Sequence, residues 1–509
     1  MDVTQILMLI TILVYLAAMV GIGAVLAKQN QTTDDFYLGG RTLGPLVTAM
    51  SAEASDMSSW LLMGLPGVAY LSGTADAAWT AIGLAIGTYV NWLVVAKRLR
   101  NYTHVCGNST TLPLFFSNRY RDNKRILSVI AALLIIIFFV PYTASGFAAC
   151  GKLFANLFGM DYLPAMLISA IVIVAYTTLG GFLAASTTDF VQSIVMTIAI
   201  VVVFGFGISK VGSFSAVMDN AKSMAGYFSL THTHDVATGT ASPYSLLQIF
   251  STLAWGLGYF GMPHVLLRFM AIDDANKLKL SRRVATVWVV ISMAVSVFIG
   301  VIGNAMTKAG VLPTLKDPET IILVVADLIS KHGVLATIIA GLILAGILAA
   351  TMSTADSQLL AASSSASQNI LKEVFMKDMS EKTGMLIARI TVLVIALIGV
   401  FIARNPDSSV FQIVSFAWAG FGASFGPLVL LALFWKRSTF QGALCGMVSG
   451  GVMVFVWKFL IRPMGGALGI YELLPAFLLG LAVNVIVSLL TPAPSREVQD
   501  EFDKVASMK

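Results

Sequence analysis

Charge, cysteine and histidine are all scarce in this chain of 509 residues. Only 11% of the residues are charged, and there are 3 cysteines and 5 histidines. The cysteines are isolated, so they form neither a CxxC pair nor a disulfide framework. His232 and His234 are the only close pair, and a polar surface loop explains them better than a metal site. The sequence therefore indicates no metal centre and no bound cofactor.

The chain also lacks a Walker-type glycine-rich loop, which an ATP-driven pump would need. Its formal net charge is +6, but the lysines and arginines cluster between apolar runs and form no single basic patch or stripe. We therefore expect no nucleic-acid partner. If this chain drives active transport, the energy has to come from an ion gradient.

Apolar residues dominate what remains, at 57% of the chain, and the mean hydropathy is +0.85. Runs of about 18 or more apolar residues, each able to cross a bilayer core about 30 Å thick, recur from end to end. They lack the alternating pattern of barrel strands, so the sequence predicts an all-α polytopic membrane protein. We count thirteen candidate spans, of which the ninth, 321–365, is the longest.

The distribution of lysine and arginine predicts the orientation in the membrane. These residues are concentrated in the connections 97–125 and 277–283, and cytoplasmic loops carry such an excess. The prediction puts the N-terminus outside and the tail 491–509 in the cytoplasm. The first span is too long, and lacks a preceding positive charge, for a cleavable signal peptide. The polar outward loop, 210–244, is expected to hold only a short helix near 214–225.

The second span, 44–70, is interrupted by polar residues at 51–60. It contains Glu53 and Asp56, and a charged group at bilayer depth costs at least about 2.5 to 3.5 kcal/mol, so this stretch is expected to form half of a binding site. On a continuous helix the two carboxylates would share a face and repel, so either the helix breaks there or one carboxylate is protonated. Asp56 could also cap the second half-helix.

The seventh span, 245–266, has an interruption of its own. Three glycines and Pro263 weaken the helix within 255–263. The two interrupted spans lie five spans apart, and because five is odd, two five-helix units would have opposite orientations. The predicted segments are an extra helix and loop (1–42), the first repeat (43–209), the outward loop (210–244), the inverted second repeat (245–436), two C-terminal helices (437–490) and the tail (491–509).

Several residue types near these interruptions suit a binding site. Unwound backbone offers carbonyl oxygens to Na⁺, and the hydroxyl-rich turn 349–357 in the ninth span is a further source of oxygen ligands. Helix packing explains that turn equally well. Asp189 fits an ordinary N-terminal acid of the sixth span better than a coupling residue. Four aromatic side chains could line a pocket for a small ammonium-bearing solute: Trp60, Tyr142, Trp255 and Tyr259.

Six motifs, in this order, resemble the solute:sodium symporter family. They are DFYLGGR at 35–41, SDMS at 55–58, LLMGLPG at 61–67, WGLGYFG at 255–261, PH at 263–264 and MST at 352–354. The resemblance extends over nearly the whole chain. It implies a LeuT-like fold, a five-plus-five inverted repeat with about thirteen transmembrane helices. It also implies Na⁺-coupled uptake of L-proline by alternating access across the lipid bilayer of a bacterial cytoplasmic membrane.

The same resemblance implies the site residues. The sodium ligands would be the carbonyls of Ala54, Met57 and Ala350 with the hydroxyls of Ser353 and Thr354. Asp56 would be the carboxylate on which Na⁺ binding depends. The positions implied for proline are Ser58, Trp60, Tyr142, Trp255, Tyr259 and Pro263. Glu53 and Asp356 depart from the family pattern, and together with Asp189 they are candidate coupling residues.

Three alternatives stay open at this point. The first is a Na⁺ symporter of the same family for another small solute, such as a monocarboxylate, pantothenate or a sugar. The second, an intramembrane hydrolase, needs a base within reach of a serine. His264 is the one histidine near an interrupted span, and no serine has a GxSxG-type elbow, so we do not expect an enzyme. The third is a transporter-like sensor, for which the tail after Thr491 offers no room for a kinase domain.

Overall fold

Helices make up nearly all of the secondary structure. The structure is a computed structural model and describes residues 2–28, 32–376, 379–405 and 409–508. The helices are α1 (Val3–Ala27), α2 (Thr33–Leu38), α3 (Pro45–Ser59), α4 (Leu65–Ser72), α5 (Thr74–Val90), α6 (Ala96–Val105), α7 (Leu112–Arg119), α8 (Ile126–Phe158), α9 (Tyr162–Val211), α10 (Phe214–Ser223), α11 (Leu246–Leu253), α12 (Pro263–Ala271), α13 (Leu278–Lys308), α14 (Ile321–Ser330), α15 (Val334–Ser364), α16 (Glu381–Ala403), α17 (Val410–Phe434), α18 (Phe440–Val456), α19 (Leu473–Leu490) and α20 (Arg496–Ser507). Two short antiparallel strands, β1 (His232–His234) and β2 (Ala241–Pro243), form a hairpin.

Ten helices in the described part of the chain are long and apolar enough to cross a membrane. They differ in how much of their most apolar stretch is buried inside the protein. This buried share is 83% for α17 and 67% for α15, but 28% for α1, α16 and α18. α15 and α17 are therefore central and the other three peripheral. The interrupted second span is not among the ten, since its two halves, α3 and α4, are short. The chain is a multi-pass membrane protein.

Two predicted span boundaries are wrong. The predicted ninth span, 321–365, consists of α14 and the separate helix α15, because the chain turns at Gly333 with φ 99°. The fifth and sixth spans meet at a bend in α9 at Gly181, where φ is 64°. Glycine adopts this left-handed conformation at little cost, so the sixth span begins well before Asp189. The predicted short helix near 214–225 is confirmed as α10.

The two interrupted spans run in opposite directions. Leu43 precedes α3, and its backbone N–H donates to the carbonyl of Ala271 at the end of α12 (3.1 Å). The N–H of Asp273 in turn donates to the Leu43 carbonyl (3.0 Å). The start of one interrupted span therefore lies beside the end of the other, on one face of the molecule. This is the arrangement expected of an inverted repeat.

The centre of the bundle brings together helices that are far apart in sequence. α15 packs against α1, α3, α8 and α9, and α3 also contacts α12 and α13. α5 packs against the segment Ala254–Phe260 of the second interrupted span. Both interruptions thus face a shared, buried centre, and the ninth span lies beside the first of them.

Candidate functional site

The helix α3 ends in a break at a single residue, Ser58. Its φ of 50° and ψ of −171° lie in a region that is almost restricted to glycine. A π-helical turn, Trp60–Gly64, follows and leads into α4. The Ser58 hydroxyl accepts a hydrogen bond from the backbone N–H of Trp60 (3.1 Å), which holds the chain where the helical pairing is lost.

This geometry corrects two predictions about the carboxylates. The helix is continuous through Glu53 and Asp56, so a break between them is excluded, and the interruption is confined to its last turn. Asp56 does not cap the second half-helix, because the backbone N–H of Trp60 donates to the Ser58 hydroxyl and not to the Asp56 carboxylate. The Asp56 carboxylate is instead buried beside Tyr259, and its Oδ1 has no hydrogen-bond partner among the described residues.

Four of the five oxygens predicted as sodium ligands meet between α3 and α15. The Ser353 hydroxyl donates to the Ala54 carbonyl of α3 (2.9 Å) and lies 3.2 Å from the Ala350 carbonyl of its own helix. The Thr354 hydroxyl donates to the same Ala350 carbonyl (3.0 Å). The Met57 carbonyl, one turn from Ala54, accepts from the backbone N–H of residue 60. The side chains of Ser353 and Thr354 are buried, and four of the five predicted oxygens therefore occupy one helix interface.

Four of the six residues predicted for the substrate form two pairs. Tyr142 and Tyr259 lie at Asp56, since the Tyr142 hydroxyl donates to the Asp56 carbonyl (3.0 Å) and the buried Tyr259 neighbours the carboxylate. Trp60 and Trp255 face each other with ring centroids 5.6 Å apart. Pro263 is the first residue of α12 and is buried, a position that proline favours because its missing N–H would be unpaired anyway.

Sequence reasoning missed three aromatic residues that pack against Trp255: Trp418, whose ring centroid lies 6.3 Å away, Phe411 and Tyr471. The ring of Tyr471 stacks on Trp255 at 5.0 Å and 19°, and the ring of Phe411 lies 5.6 Å from Trp255 and 6.2 Å from Trp60. We call Trp60, Trp255, Phe411 and Tyr471 the aromatic plug. Phe411 and Tyr471 come from α17 and from the segment before α19, far from any interrupted span in sequence, and no local signal marks them.

Glu53 lies away from the helix interface that carries the predicted sodium ligands. Its Oε1 accepts hydrogen bonds from the Thr88 hydroxyl (2.9 Å) and the Trp92 indole N–H (2.8 Å), and its side chain is fully buried. Thr88 belongs to α5 and Trp92 to the turn that follows. Glu53 therefore ties the first interrupted span to the third span.

Asp189 forms a buried ion pair, which corrects its interpretation as an ordinary helix-terminal acid. Its Oδ2 lies 3.2 Å from Nη2 of Arg268, a residue of α12, and it accepts a hydrogen bond from the Ser51 hydroxyl (2.6 Å). Arg268 also donates to Ser51 through Nε (3.0 Å). Burial of both charges explains the pairing, since an unpaired buried charge is costly. The signal in the sequence that could have identified this partner is Arg268 itself, a single charged residue among apolar neighbours.

Asp356 belongs to the same cluster. Its Oδ1 accepts from the Ser357 hydroxyl (3.1 Å), and Nη2 of Arg268 lies 2.5 Å from that hydroxyl. The Ser357 hydroxyl also lies 2.9 Å from the Ser353 carbonyl. The ion pair is therefore linked to the predicted sodium ligands through one turn of α15. Among the described residues, no group of three or more His, Cys, Asp or Glu side chains could hold a metal ion.

The structure has the LeuT-type fold, as two solved structures show. It resembles a Na⁺-coupled sialic acid symporter solved in a substrate-bound outward-open state, with a TM-score of 0.78 at 19% identity over 96% of this chain and 99% of that one. It also resembles Mhp1, a nucleobase-cation-symport-1 family transporter solved in a closed conformation with bromovinylhydantoin bound. That match has a TM-score of 0.53 at 13% identity over 92% of this chain and 98% of that one.

The sequence comparisons then give the family. The model of the sodium:solute symporter family matches residues 36–450. The chain is 41% identical to the sodium/proline symporter of Escherichia coli over 97% of this chain and 95% of the relative. It is 40% identical to the osmoregulated proline transporter OpuE of Bacillus subtilis over 96% of both. The chain belongs to the sodium:solute symporter family, as its motifs indicated.

Proposed function

We propose that this protein is a Na⁺-coupled symporter that imports L-proline by alternating access. The family membership supports ion-coupled transport, and the printed names of the relatives support proline. The observation that carries the proposal is the contact of the Ser353 hydroxyl with the Ala54 carbonyl, which is 2.9 Å long. It joins oxygen ligands from the interrupted helix α3 to those of α15.

The proposed Na⁺ site consists of the predicted oxygens at this interface. A hard monovalent cation prefers oxygen ligands, and carbonyls with hydroxyls supply them without the charge excess that favours divalent ions. The hydroxyls of Ser353 and Thr354 now donate to carbonyls, and a cation would bind these same oxygens. Asp56, which is buried and lies two residues after Ala54 on α3, would supply the compensating negative charge.

The proposed proline site lies beside it, at Tyr142, Tyr259 and Ser58 on one side and the aromatic plug on the other. The faces of Trp255 and Trp60 suit a small ring that carries an ammonium group. Na⁺ binding would fix α3 against α15 and so order the Ser58 break at which proline docks. Arg268, with Asp189 and Asp356, would hold these helices together from the side of α12 during the change of access.

We place the protein in the bacterial cytoplasmic membrane with the N-terminus outside. The loops rich in lysine and arginine, 97–125 and 277–283, support this orientation. A tenfold Na⁺ gradient supplies about 1.4 kcal/mol, and 100 mV of membrane potential about 2.3 kcal/mol per charge. One ion is then enough for accumulation of proline on the order of several hundredfold.

Uptake of radiolabelled proline into proteoliposomes tests this function. An inward Na⁺ gradient should drive accumulation, and Asp56→Ala should abolish it. Uptake that persists when K⁺ replaces Na⁺ would refute the coupling. Competition by an excess of unlabelled solute decides the cargo: only proline and close analogues should compete, whereas strong competition by a monocarboxylate, pantothenate or a sugar would identify a different cargo for the same mechanism.

A further inference from the structure

Glu53 carries a fully buried carboxylate that forms no ion pair with any described residue. Three other buried carboxylates are paired: Asp189 with Arg268 (3.2 Å), Glu319 with Lys152 (3.0 Å) and Glu472 with Arg462 (2.8 Å). An ionised carboxylate is costly to bury without a countercharge. The positive charge that Glu53 needs therefore has to come from a proton or from a cation bound out of solution.

The two oxygens of this carboxylate have different surroundings. Oε1 accepts hydrogen bonds from the Thr88 hydroxyl (2.9 Å) and the Trp92 indole N–H (2.8 Å). Oε2 has no hydrogen-bond partner among the described residues. Since the indole N–H can only donate, Oε1 is fixed as an acceptor. Oε2 is thus the oxygen that remains free to bind a ligand.

Asn91 supplies a second buried oxygen without a partner. It lies between Thr88 and Trp92 in the chain and is fully buried. Its Nδ2 donates to the Tyr259 carbonyl (3.1 Å), which fixes the orientation of the amide, and its Oδ1 has no partner in the described part of the chain. The Tyr259 hydroxyl lies close to the Glu53 carboxylate. Oxygen atoms of three residues from three different segments are therefore gathered in one buried place.

We propose that these three residues form a second Na⁺ site, in which Oε2 of Glu53, Oδ1 of Asn91 and the Tyr259 hydroxyl bind the ion. A cation gives both unpaired acceptors a partner and neutralises the carboxylate at the same time. One carboxylate with neutral oxygens suits a monovalent ion and lacks the charge that a divalent ion requires. The inference rests on the proposed function, which makes Na⁺ the cation that reaches this depth.

This site is distinct from the proposed site between α3 and α15. The Ala54 carbonyl faces Ser353 of α15, whereas the Glu53 side chain reaches Thr88 of α5. Glu53 also departs from the family pattern, so the resemblance implies no ion ligand at this position. With an ion at Glu53, two Na⁺ ions enter with each proline, and the accumulation ratio becomes the square of the ratio for one ion.

The number of Na⁺ ions tests this site. Glu53→Gln keeps a carbonyl oxygen for the Thr88 and Trp92 donors and replaces the free carboxylate oxygen with an amide group, which can donate to Asn91. Glu497→Gln, which changes a glutamate of α20 that is 74% exposed, is the matched control. Simultaneous uptake of radiolabelled Na⁺ and proline into proteoliposomes at a fixed membrane potential gives the ratio of ions to proline. Equilibrium binding of radiolabelled Na⁺ in the presence of proline gives the number of ion sites in each purified protein.

Asn91→Ala is an independent variant, because it removes an uncharged ligand and leaves the carboxylate in place. It should weaken Na⁺ binding at one of the two sites on the order of tenfold. Unchanged Na⁺ affinity at both sites would show that Asn91 is not a ligand of the second ion.

We expect two Na⁺ sites and two Na⁺ ions per proline in the wild type and the control, and one Na⁺ site in Glu53→Gln. This site count does not require that the variant transports. One Na⁺ per proline in a transporting wild type, including entry of a proton in place of the second Na⁺, would overturn the second site alone. Two Na⁺ sites in Glu53→Gln would overturn the assignment to Glu53. A wild type without Na⁺-driven proline uptake would refute the proposed function and this inference together.

Discussion

The two interrupted spans of this transporter are broken by different means. In the first, α3 stays helical to Met57 and the break is the single residue Ser58, whose φ is 50°. In the second, α11 ends at Leu253 and a 3-10 segment of seven residues, Ala254–Phe260, comes before α12. The interruption therefore occurs in the corresponding helix of each repeat, but a different kind of residue causes it in each.

The glycines of the second interruption show what this difference means. A Cβ on Gly256 would lie 2.2 Å from the Gly83 carbonyl oxygen, and one on Gly258 would lie 2.0 Å from Trp418 Nε1. These glycines are needed for close packing against neighbouring helices, not only for a weak helix. A polar residue breaks the first span, whereas the second is shaped by the absence of side chains.

The largest effect is expected for Gly258, because close packing at this glycine distinguishes the second interruption from the first. Gly258→Ala places a methyl group inside the Trp418 ring, so we expect no folded, transporting protein. Gly205→Ala is the control, because a Cβ at Gly205 meets nothing within 4 Å. The yield of monodisperse protein and Na⁺-driven proline uptake are the measurements. If Gly258→Ala behaves like Gly205→Ala, close packing does not require this glycine, and the proposed difference between the two interruptions is wrong.

The second-largest effect is expected at Glu53, which ties the first interrupted span to the third span. Glu53→Leu removes the acceptor of two buried donors, Thr88 and Trp92, and should lower the free energy of unfolding by about 2 to 6 kcal/mol. Glu53→Gln keeps a side-chain carbonyl acceptor and should lose far less. Thermal unfolding of both variants in the same detergent measures the difference. Equal melting temperatures for the two would show that these hydrogen bonds do not hold α3.

A smaller effect is expected at the oxygen bridge between α3 and α15. Ser353→Ala removes a proposed ligand and should raise the Na⁺ concentration for half-maximal uptake by about 10- to 100-fold. Thr351→Ala is the matched control, because this buried hydroxyl of the same helix donates to its own backbone at Ile347 (2.9 Å) and contacts none of the predicted sodium ligands. An equal Na⁺ dependence in both variants would remove Ser353 from the proposed site.

The smallest effect tests the strain at Ser58. Both Ser58→Gly and Ser58→Ala remove the hydroxyl that binds the N–H of Trp60, but only glycine adopts the observed backbone angles without strain. The glycine variant should therefore be more stable than the alanine variant by about 1 kcal/mol. Comparison of their melting temperatures checks this, and a more stable alanine variant would contradict the assigned break.

The sequence allowed prediction of those features that a single segment carries. Polar residues within an apolar run marked the region of Glu53 and Asp56, and the hydroxyl-rich turn of the ninth span marked Ser353 and Thr354. Their meeting could be expected because the family resemblance relates the two segments. The short helix α10 was likewise expected from its own segment of the outward loop.

Features that depend on tertiary contacts could not be predicted. The partner of Asp189 is Arg268, 79 residues away in the chain, and it lies beyond the predicted end of the seventh span at residue 266, whereas α12 continues to Ala271. The interpretation of Asp189 also depended on a span boundary that the bend at Gly181 moves. Similarly, the break at Ser58 rather than near Glu53 is decided by backbone angles, which no composition argument supplies.

The central claim is that Na⁺ and proline cross the membrane together through the site between α3 and α15. Simultaneous uptake of radiolabelled Na⁺ and proline into proteoliposomes, for the wild type and Asp56→Asn, tests it most directly. We predict that proline stimulates Na⁺ entry in a fixed ratio in the wild type, and that the variant loses both fluxes. Na⁺ entry that is independent of proline, or a variant with an unchanged flux ratio and rate, would contradict the account.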